Sequence, residues 1–318
     1  MLNQGAAGKP QGGGLQICQI SDDKLIFKVT GIPGPEVCSR VPASLGKHLM
    51  QQGFSDKLIK GLRLQNCVTV NGRFHRMIDA VAIGDEIAIH WPQAPPDKHL
   101  LPAADLAVPI LYEDNSFIAF DKPPGLPIHP SARHYRRSLG NYFASLYPGL
   151  SFRPIGRLDK DTTGICLVAK NPFCAAIANQ NIQKVYYAIL EGFLPQDKGT
   201  VDLPLLRLPG DTIKRQVEAG GQRAVTHFQV LSRSEAFTLI SAVLETGRTH
   251  QIRAHFAHLG FPLAGDSLYG GGETQIRRQA LHCGEISFCD PVKQQQIRLT
   301  SPLPKDMEQL LAARESIG

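Results

Sequence analysis

At the centre of the chain lies the stretch RPIGRLDKDTTGICLVA, residues 153–169. Its first twelve residues hold two carboxylates, three cations and two glycines, whereas the last five are all apolar. A short apolar run that directly follows glycine and polar residues is typical of a buried strand. The polar part is then a loop mounted on a rigid strand, a place where catalytic side chains are commonly found.

The acidic pair in this loop can be compared with two known local motifs. Asp159, Asp161 and Gly164 match the start of a calcium-binding loop, but Lys170 occupies the position that needs a bidentate Glu. The pair also resembles the nucleophile motif of haloacid-dehalogenase-like phosphotransferases. That motif ends a buried strand and needs a later acidic pair for magnesium, and neither condition is met here. Calcium is rejected, and the phosphotransferase stays as a distant alternative.

A third pattern is more specific. Arg157-Leu158-Asp159, followed by Thr162-Thr163-Gly164, resembles the Arg-Leu-Asp motif of the RluA-like RNA pseudouridine synthases. Three further motifs of that family occur in the family's order: KPPGLPIHP (122–130), TGRTHQIRAH (246–255) with GDSLYG (265–270), and RQALH (278–282). The resemblance covers residues 110–310. This chain departs from the family at Gly156, where His is usual, and at Thr163, where Ser is commoner.

The resemblance implies the pseudouridine synthase fold, an α+β domain around a large mixed, mainly antiparallel sheet with the active cleft along its middle. It also implies an isomerase that flips specific uridines out of structured RNA, either large-subunit rRNA or tRNA. Detaching uracil and reattaching it through carbon needs no redox step and no phosphate transfer, so no cofactor or metal is expected. The remaining alternative is a non-catalytic RNA-binding protein, which would not need Asp159.

The resemblance also assigns roles to individual residues. Asp159 is implied as the nucleophile and Arg253 as its charged partner, while the point of attack stays open. Tyr186 is implied as the wall of the base pocket and as a candidate for assisting proton removal from uracil carbon 5. The two-residue period of a strand separates Tyr186 from Tyr187, and only the family's Lys-x-Tyr-x-Ala pattern selects between them. The implied substrate-binding residues are Arg157, Thr162, Thr163, Gly164, Leu281, Arg248 and His250.

Composition and local patterns divide the chain into four parts. Residues 1–14, rich in Gly, Gln and Ala, are predicted to be a disordered tail. Residues 15–91 contain two short helices, a Val-Asn-Gly turn and a Gly-Asp pair, and resemble the small α/β alpha-L RNA-binding domain. Residues 92–107 form a proline-rich linker, and residues 108–318 are the catalytic domain.

An RNA partner is consistent with the charge of the chain. The net charge is +6 and the isoelectric point is near 8.9, a mild basic excess that permits a polyanion partner without establishing one. In the N-terminal domain five cations can face phosphate, although a generic solvated surface is the alternative. They are Lys47, Lys57, Lys60, Arg63 and Arg73.

Helix and strand signals place the later motifs. Asn171-Pro172 predicts the start of a helix, and strands are predicted over residues 183–192, 224–231 and 237–244. Ile252, Phe256 and Leu259 mark the buried stripe of a further helix. His250 and Arg253 lie on a different face near the N-terminus of that helix, where an anion is favoured.

The sequence gives little support for a metal site, a membrane span or disulfide bonds. His250, His255 and His258 lack metal-ligand spacing and have no Cys or carboxylate with them, so no metal site is predicted. The seven cysteines include no C-x-x-C pair and are expected to be reduced thiols. No signal peptide is evident, and no apolar run approaches the ~20 residues of a membrane span. We therefore expect a cytoplasmic monomer without a membrane partner.

Overall fold

The computed structural model describes residues 15–21, 24–31, 44–91, 100–131, 135–207, 210 and 213–312. The predicted disordered tail, residues 1–14, lies outside the described residues, as do residues 92–99 of the predicted linker. No helix in the described part of the chain is long and apolar enough to cross a lipid bilayer.

The N-terminal unit, as far as its residues are described, combines a five-stranded antiparallel sheet with two helices. Its elements are β1 (Leu15–Ile20), β2 (Lys24–Val29), α1 (Leu45–Gln51), α2 (Asp56–Leu64), β3 (Val68–Val70), β4 (Arg73–Phe74) and β5 (Glu86–His90), with sheet order β1-β2-β5-β3-β4. Ser55 begins α2, and its hydroxyl accepts a hydrogen bond from the Leu58 N–H. Asn71 and Gly72 both have positive φ, so the predicted Asn-Gly turn joins β3 to β4.

The described residues of the C-terminal unit form a ten-stranded sheet and four α-helices, besides a two-stranded ribbon and one short 3-10 helix. Its elements are β6 (Ile110–Glu113), β7 (Phe117–Lys122), α3 (Leu139–Leu146), β8 (Arg153–Pro154), β9 (Thr163–Ala169), α4 (Pro172–Asn181), β10 (Gln183–Glu191), β11 (Lys198–Asp202), β12 (Leu205–Arg207), β13 (Arg215–Val217), β14 (Val225–Arg233), β15 (Phe237–Leu244), α5 (Gln251–His258), β16 (Leu281–Asp290), β17 (Gln295–Thr300) and α6 (Lys305–Ala312).

The order of the large sheet confirms the predicted fold class. Its main path runs β11-β14-β15-β10-β16-β9-β7-β6, with β17 added to β16 and β8 added to β9. Every pairing between the described strands of this sheet is antiparallel except that of β9 with β16, which is parallel. The sheet is therefore mixed and mainly antiparallel. Strands β12 and β13 form a separate two-stranded ribbon.

The parallel pairing depends on a close backbone approach at Gly164. This glycine has a φ of +102°, and a Cβ added to it would lie 2.2 Å from the carbonyl oxygen of Cys283 on β16. Only glycine tolerates both conditions. Beside it, the Thr163 hydroxyl hydrogen-bonds to the Nδ1 atom of His282 at 2.9 Å. β9 and β16 are thereby locked together directly after the Asp159 loop.

Two helices were predicted with different accuracy. The Asn171 side chain accepts a hydrogen bond from the Cys174 N–H, so α4 begins where the sequence predicts. In α5, Ile252 and Phe256 are buried as predicted, but the buried stripe does not extend to Leu259, which is 40% exposed. The helix ends at His258, and Leu259 follows as its C-cap, so this side chain no longer continues the buried face.

The two units share one hydrophobic core. Phe27 and Phe54 of the N-terminal unit surround Phe173 of α4, with ring centroids 6.0 Å and 4.8 Å from that ring. A Cβ on Gly53 would lie 2.2 Å from the Cδ1 atom of Ile177, also on α4. The N-terminal unit is thus packed against the C-terminal one, which the prediction of a separating proline-rich linker did not suggest.

The second half of the predicted linker is also in contact with the C-terminal unit. The Ala103 N–H donates to the carbonyl oxygen of Asn141 on α3 at 3.1 Å, and the Asn141 side chain donates to the carbonyl oxygen of Leu101 at 2.8 Å. These two hydrogen bonds attach residues 101–103 to α3. This part of the predicted linker therefore belongs structurally to the C-terminal unit.

Candidate active site

A cleft of about 730 Å³ opens at the ends of the central strands of the large sheet. Four segments line it, within residues 127–131, 156–162, 179–186 and 244–253, together with Leu281. Of the ten site residues that the sequence predicts, eight line this cleft. They are Asp159, Tyr186, Arg253, Arg157, Thr162, Leu281, Arg248 and His250.

The central contact of the cleft joins Asp159 to Arg253. The Nη1 atom of Arg253 donates a hydrogen bond to the Oδ2 atom of Asp159 at 3.1 Å. The remaining edge of the guanidinium faces Asp266, to which Nε and Nη2 donate at 2.6 Å and 2.8 Å. Asp266 is almost fully buried, so Arg253 is held as a rigid bridge between a structural carboxylate and a cleft carboxylate.

Two opposing effects act on the pKa of Arg253. Burial favours the neutral form, but the hydrogen bonds and negative charges of Asp266 and Asp159 outweigh it and raise the pKa above its ordinary value. The guanidinium therefore stays charged throughout the working pH range of any enzyme. Arg253 lies in the first turn of α5, and the anion that its side chain contacts in the cleft is Asp159.

The backbone of the Asp159 loop is held from both sides by buried cations. The Nζ atom of Lys122 donates to the carbonyl oxygens of Pro123, Leu126 and Lys160 at 2.8, 3.0 and 2.8 Å. Burial lowers the pKa of this lysine to about 8. On the other side, Arg278 donates to the carbonyl oxygen of Asp161 at 3.3 Å.

Arg278 is itself fixed by a carboxylate. Its Nε and Nη2 atoms donate to Asp306 of α6 at 2.6 Å and 2.8 Å. The lysine and the arginine come from two of the motifs that the sequence shares with the family, and both hold the loop through its carbonyl oxygens. The positions of the residues around Asp159 are therefore set by elements far apart in the sequence.

Tyr186 lies on β10 and lines the cleft, whereas Tyr187 does not. The Tyr186 side chain is buried, and this burial is the main cause that raises the pKa of its phenol well above the ordinary value. The phenol is therefore neutral at physiological pH. A neutral ring on the wall of the cleft is suited to packing against a flat base.

These features can now be compared with known proteins. Residues 116–258 match the family model described as RNA pseudouridylate synthase. The uncharacterized RNA pseudouridine synthase YjbO of Bacillus subtilis is 38% identical over 269 residues, covering 81% of this chain and 95% of that protein. The chain belongs to the RNA pseudouridine synthase family. It is therefore an isomerase that acts on RNA, and neither the phosphotransferase nor the non-catalytic alternative applies.

Other similarities agree with this membership. The ribosomal large subunit pseudouridine synthase D of Xanthomonas campestris pv. campestris is 37% identical over 232 residues, covering 66% of this chain and 70% of that protein. Human RNA pseudouridylate synthase domain containing 1 has a TM-score of 0.53 at 23% identity, covering 67% of this chain and 96% of that structure. The structural similarity shows a shared fold.

Four further residues of the synthase line the cleft, two at its exposed rim and two in buried positions. Arg157 is exposed and donates from Nη2 to the Thr249 hydroxyl at 3.2 Å, which joins the Asp159 loop to the loop before α5. Arg248 is exposed and donates from Nε to the carbonyl oxygen of Arg223 at 3.1 Å. Leu281 is buried and supplies apolar lining, and the hydroxyl of Thr162 accepts from Gln279 at 3.3 Å.

Two of the predicted substrate-binding residues lie outside the cleft. Thr163 and Gly164 do not line it, because both are engaged in the junction of β9 with β16. Their physical role in this structure is to hold those strands together, so a direct contact with the substrate does not follow from their positions. The Arg-Leu-Asp motif thus extends from cleft residues into sheet residues.

Sequence reasoning missed several residues that shape the site. Asp266 and Tyr269 lie in the GDSLYG motif, and Lys122 lies in the KPPGLPIHP motif. Both motifs were identified in the sequence, but no role was assigned to these three residues. Gln251 gave no signal, although its side-chain oxygen accepts from the Thr246 hydroxyl and the Arg248 N–H at 2.8 Å and 3.0 Å. That amide holds the loop before α5 in its observed shape.

Gly156, where the family usually has His, also has a structural explanation. Its φ is +75°, and an added Cβ would lie 3.0 Å from the Nζ atom of Lys184. That ammonium group donates to the carbonyl oxygen of Ile155 at 2.7 Å. In this enzyme a lysine of β10 thus contacts the loop where a side chain at position 156 would stand.

The histidines around α5 are not arranged as metal ligands. His255 is fully buried, with Nδ1 against the Thr226 hydroxyl at 3.0 Å and Nε2 against the carbonyl oxygen of Leu203 at 3.0 Å. Within the described residues no group of three or more His, Cys, Asp or Glu side chains is placed to hold a metal ion.

Proposed function

We propose that this enzyme isomerises specific uridines of large-subunit ribosomal RNA to pseudouridine, with Asp159 as its nucleophile. The choice of RNA is supported by five relatives named ribosomal large subunit pseudouridine synthase D, which are 33–37% identical to this chain. Transfer RNA is the alternative target.

The observation that carries the proposal is the asymmetric environment of the Asp159 carboxylate. Oδ2 accepts a hydrogen bond from Arg253, and this oxygen is therefore occupied. Oδ1 accepts no hydrogen bond from any residue in the described part of the chain, and the side chain is 25% exposed at the cleft surface. One oxygen is thus available to the substrate while the other is held by a fixed cation, as a positioned nucleophile requires.

The reaction breaks the bond between ribose carbon 1′ and uracil nitrogen 1 and joins carbon 1′ to uracil carbon 5. The proton on carbon 5 then leaves, and nitrogen 1 takes up a proton, so the product is an isomer of the substrate. Asp159 supplies the carboxylate for this exchange, and Arg253 orients it. Because the leaving uracil must stay in the cleft and turn before it is rejoined, the cleft must hold a free base against a flat wall.

Tyr186 provides that wall. Its neutral phenol presents a flat apolar face, and Leu281 adds apolar lining. A phenol whose pKa lies well above its ordinary value is a poor general base at neutral pH, so we assign Tyr186 to base packing and not to removal of the carbon 5 proton. At the rim, the exposed cations Arg157 and Arg248 are suited to phosphate groups beside the flipped nucleotide.

The proposal is tested by replacing Asp159 with Asn. The amide has the shape of the carboxylate but is a poor nucleophile, so Asp159→Asn abolishes tritium release from RNA labelled at uracil carbon 5. Asp161→Asn is the matched control, because Asp161 lies in the same loop but does not line the cleft. Its turnover stays close to that of the unmodified enzyme. Comparable turnover in the two variants would refute the assignment of Asp159.

The RNA target requires a separate experiment. Pseudouridines are mapped across total RNA from cells with and without the gene, and the sites that disappear define the substrate. We expect them in large-subunit rRNA. Sites lost only from tRNA would overturn the proposed target and leave the reaction unaffected.

A further inference from the structure

His250 lies beside Asp159 and has an uncommon backbone conformation. It precedes the first residue of α5 with a left-handed φ of +57°, which is uncommon for a residue other than glycine. Its Nε2 atom lies 3.8 Å from the Oδ2 atom of Asp159, and its side chain is 11% exposed. That distance is too long for a hydrogen bond, so Nε2 points into the cleft without an acceptor among the described residues.

The other ring nitrogen belongs to a short hydrogen-bonded chain. The backbone N–H of Arg215 donates to the Tyr269 hydroxyl oxygen at 2.8 Å, and that hydroxyl lies 3.2 Å from the Nδ1 atom of His250. Burial raises the pKa of Tyr269, so its hydroxyl keeps a proton that needs an acceptor. Nδ1 is the acceptor that the described residues offer. The Tyr269 hydroxyl therefore donates to Nδ1, which leaves the proton of the neutral imidazole on Nε2.

The surroundings of His250 favour this neutral form, chiefly because the ring is buried. Burial lowers its pKa, as do the positive charges of Arg253 and Arg215, while the carboxylates of Asp159 and Asp266 act in the opposite direction. The net effect is a pKa below the ordinary value of 6.5. At neutral pH the cleft thus contains an uncharged N–H donor of fixed tautomer next to the nucleophile.

We propose that the Nε2–H group of His250 stabilises the uracil ring during the reaction, by donating a hydrogen bond to a ring carbonyl oxygen, and that Tyr269 sets the required tautomer. This inference rests on the proposed role of the cleft. When the bond from carbon 1′ to nitrogen 1 breaks, its electron pair stays on uracil and spreads onto the carbonyl oxygens. Addition of Asp159 to the ring would charge the same oxygens, so either route needs a donor there.

A neutral donor suits this step better than a cation. An imidazolium would transfer its proton to the uracil anion and remove the electron pair that carbon 5 needs to attack carbon 1′. A neutral imidazole N–H holds the charge without transferring the proton, and no atom is gained or lost by the histidine. His250 is thus assigned to binding of the reacting base, and Tyr269 is a positioning residue.

Two substitutions separate these roles from a general structural effect. His250→Gly tolerates the left-handed backbone and removes the donor, so turnover at saturating RNA falls by about 100-fold while the dissociation constant for RNA changes little. His250→Gln, which keeps an N–H donor on a longer side chain, recovers part of the loss. Equal effects of His250→Gly on turnover and RNA affinity would overturn the donor role.

The substitution Tyr269→Phe tests whether the Tyr269 hydroxyl sets the tautomer of the His250 imidazole. The ring is retained over the Arg253 guanidinium, whose carbon lies 5.1 Å from the ring centroid, and only the hydroxyl is removed. Nδ1 then loses the donor that favours the neutral imidazole, so the acidic limb of turnover against pH moves upward. A profile identical to that of the unmodified enzyme would refute control by Tyr269.

Failure of the proposed donor role of His250 can be distinguished from failure of the proposed function. Turnover that survives Asp159→Asn would overturn the role of Asp159 whatever the His250 variants do. Loss of turnover in Asp159→Asn together with full activity of His250→Gly would leave the nucleophile in place and remove only the donor.

Discussion

At the scale of single residues, the site depends on the planar shape of one guanidinium. Arg253 makes two hydrogen bonds to Asp266 and one to Asp159, in directions that a single planar group can satisfy together. An ammonium group has the same charge but lacks this fixed geometry, and a Lys side chain cannot span the two carboxylates in the same way. Geometry and charge can therefore be tested separately at this position.

We expect Arg253→Lys to lower turnover by about 100-fold, because a displacement of the nucleophile of about 1 Å is sufficient for such a loss. RNA affinity changes little, since the positive charge is kept and Arg253 is buried away from the rim. The measurement compares single-turnover rates with RNA dissociation constants. Arg248→Lys is the control, because Arg248 has one backbone hydrogen bond and lies exposed at the rim. An equal loss of rate and affinity in Arg253→Lys would identify Arg253 as an RNA contact.

At the scale of elements, the sequence predicted what local patterns encode and missed what distant contacts determine. The strands β10, β14 and β15 and the helix α4 carry clear periodicity or caps, and they occur where expected. The pairing of β9 with β16 joins residues more than a hundred positions apart, and no local pattern specifies it. The two-residue strand β8 is too short to give any periodic signal.

The same limit explains which site residues were found. Asp159 and Arg253 came from the family resemblance, and spacing alone did not pair them. The anchors of the loop were missed because Lys122 and Arg278 act on backbone carbonyl oxygens, which every residue possesses and no sequence motif marks. Charged side chains are seldom fully buried without partners, so an apolar strand that ends in a lysine is the signal that could have identified Lys122.

The loop anchors lead to a prediction about stability. Lys122→Met keeps the length of the side chain but leaves three carbonyl oxygens without their donor, so the free energy of unfolding falls by about 3 kcal/mol. Urea denaturation gives this value. The matched control is Lys184→Met, which removes a donor from one carbonyl oxygen and lowers the free energy by about 1 kcal/mol. Similar losses in both variants would show that the three bonds do not act together.

At the scale of the whole molecule, the N-terminal unit is both a packing partner and a basic surface. The contact of Phe54 with Phe173 makes it part of the shared core, so its deletion would expose apolar surface on α4. The predicted RNA contact of this unit is therefore better tested by changing charge in the full chain. On α2, three exposed cations form no ion pair within the described residues. They are Lys57, Lys60 and Arg63.

We expect the triple substitution Lys57→Gln, Lys60→Gln and Arg63→Gln to weaken RNA binding and to reduce its dependence on salt. If each cation neutralises one phosphate, the slope of log affinity against log salt becomes shallower by about 2 to 3. Turnover at saturating RNA is unchanged, because every residue of the cleft lies in the C-terminal unit.

The control removes the same charge elsewhere, so that loss of net charge is separated from loss of a contact. Lys198, Arg277 and Lys305 are exposed on the C-terminal unit and do not line the cleft. Their replacement by Gln lowers the net charge equally, but it leaves the slope near that of the unmodified enzyme. If the α2 variant and the unmodified enzyme have the same slope, these three cations do not contact RNA. The role of the N-terminal unit that the structure shows is then its packing against Phe173.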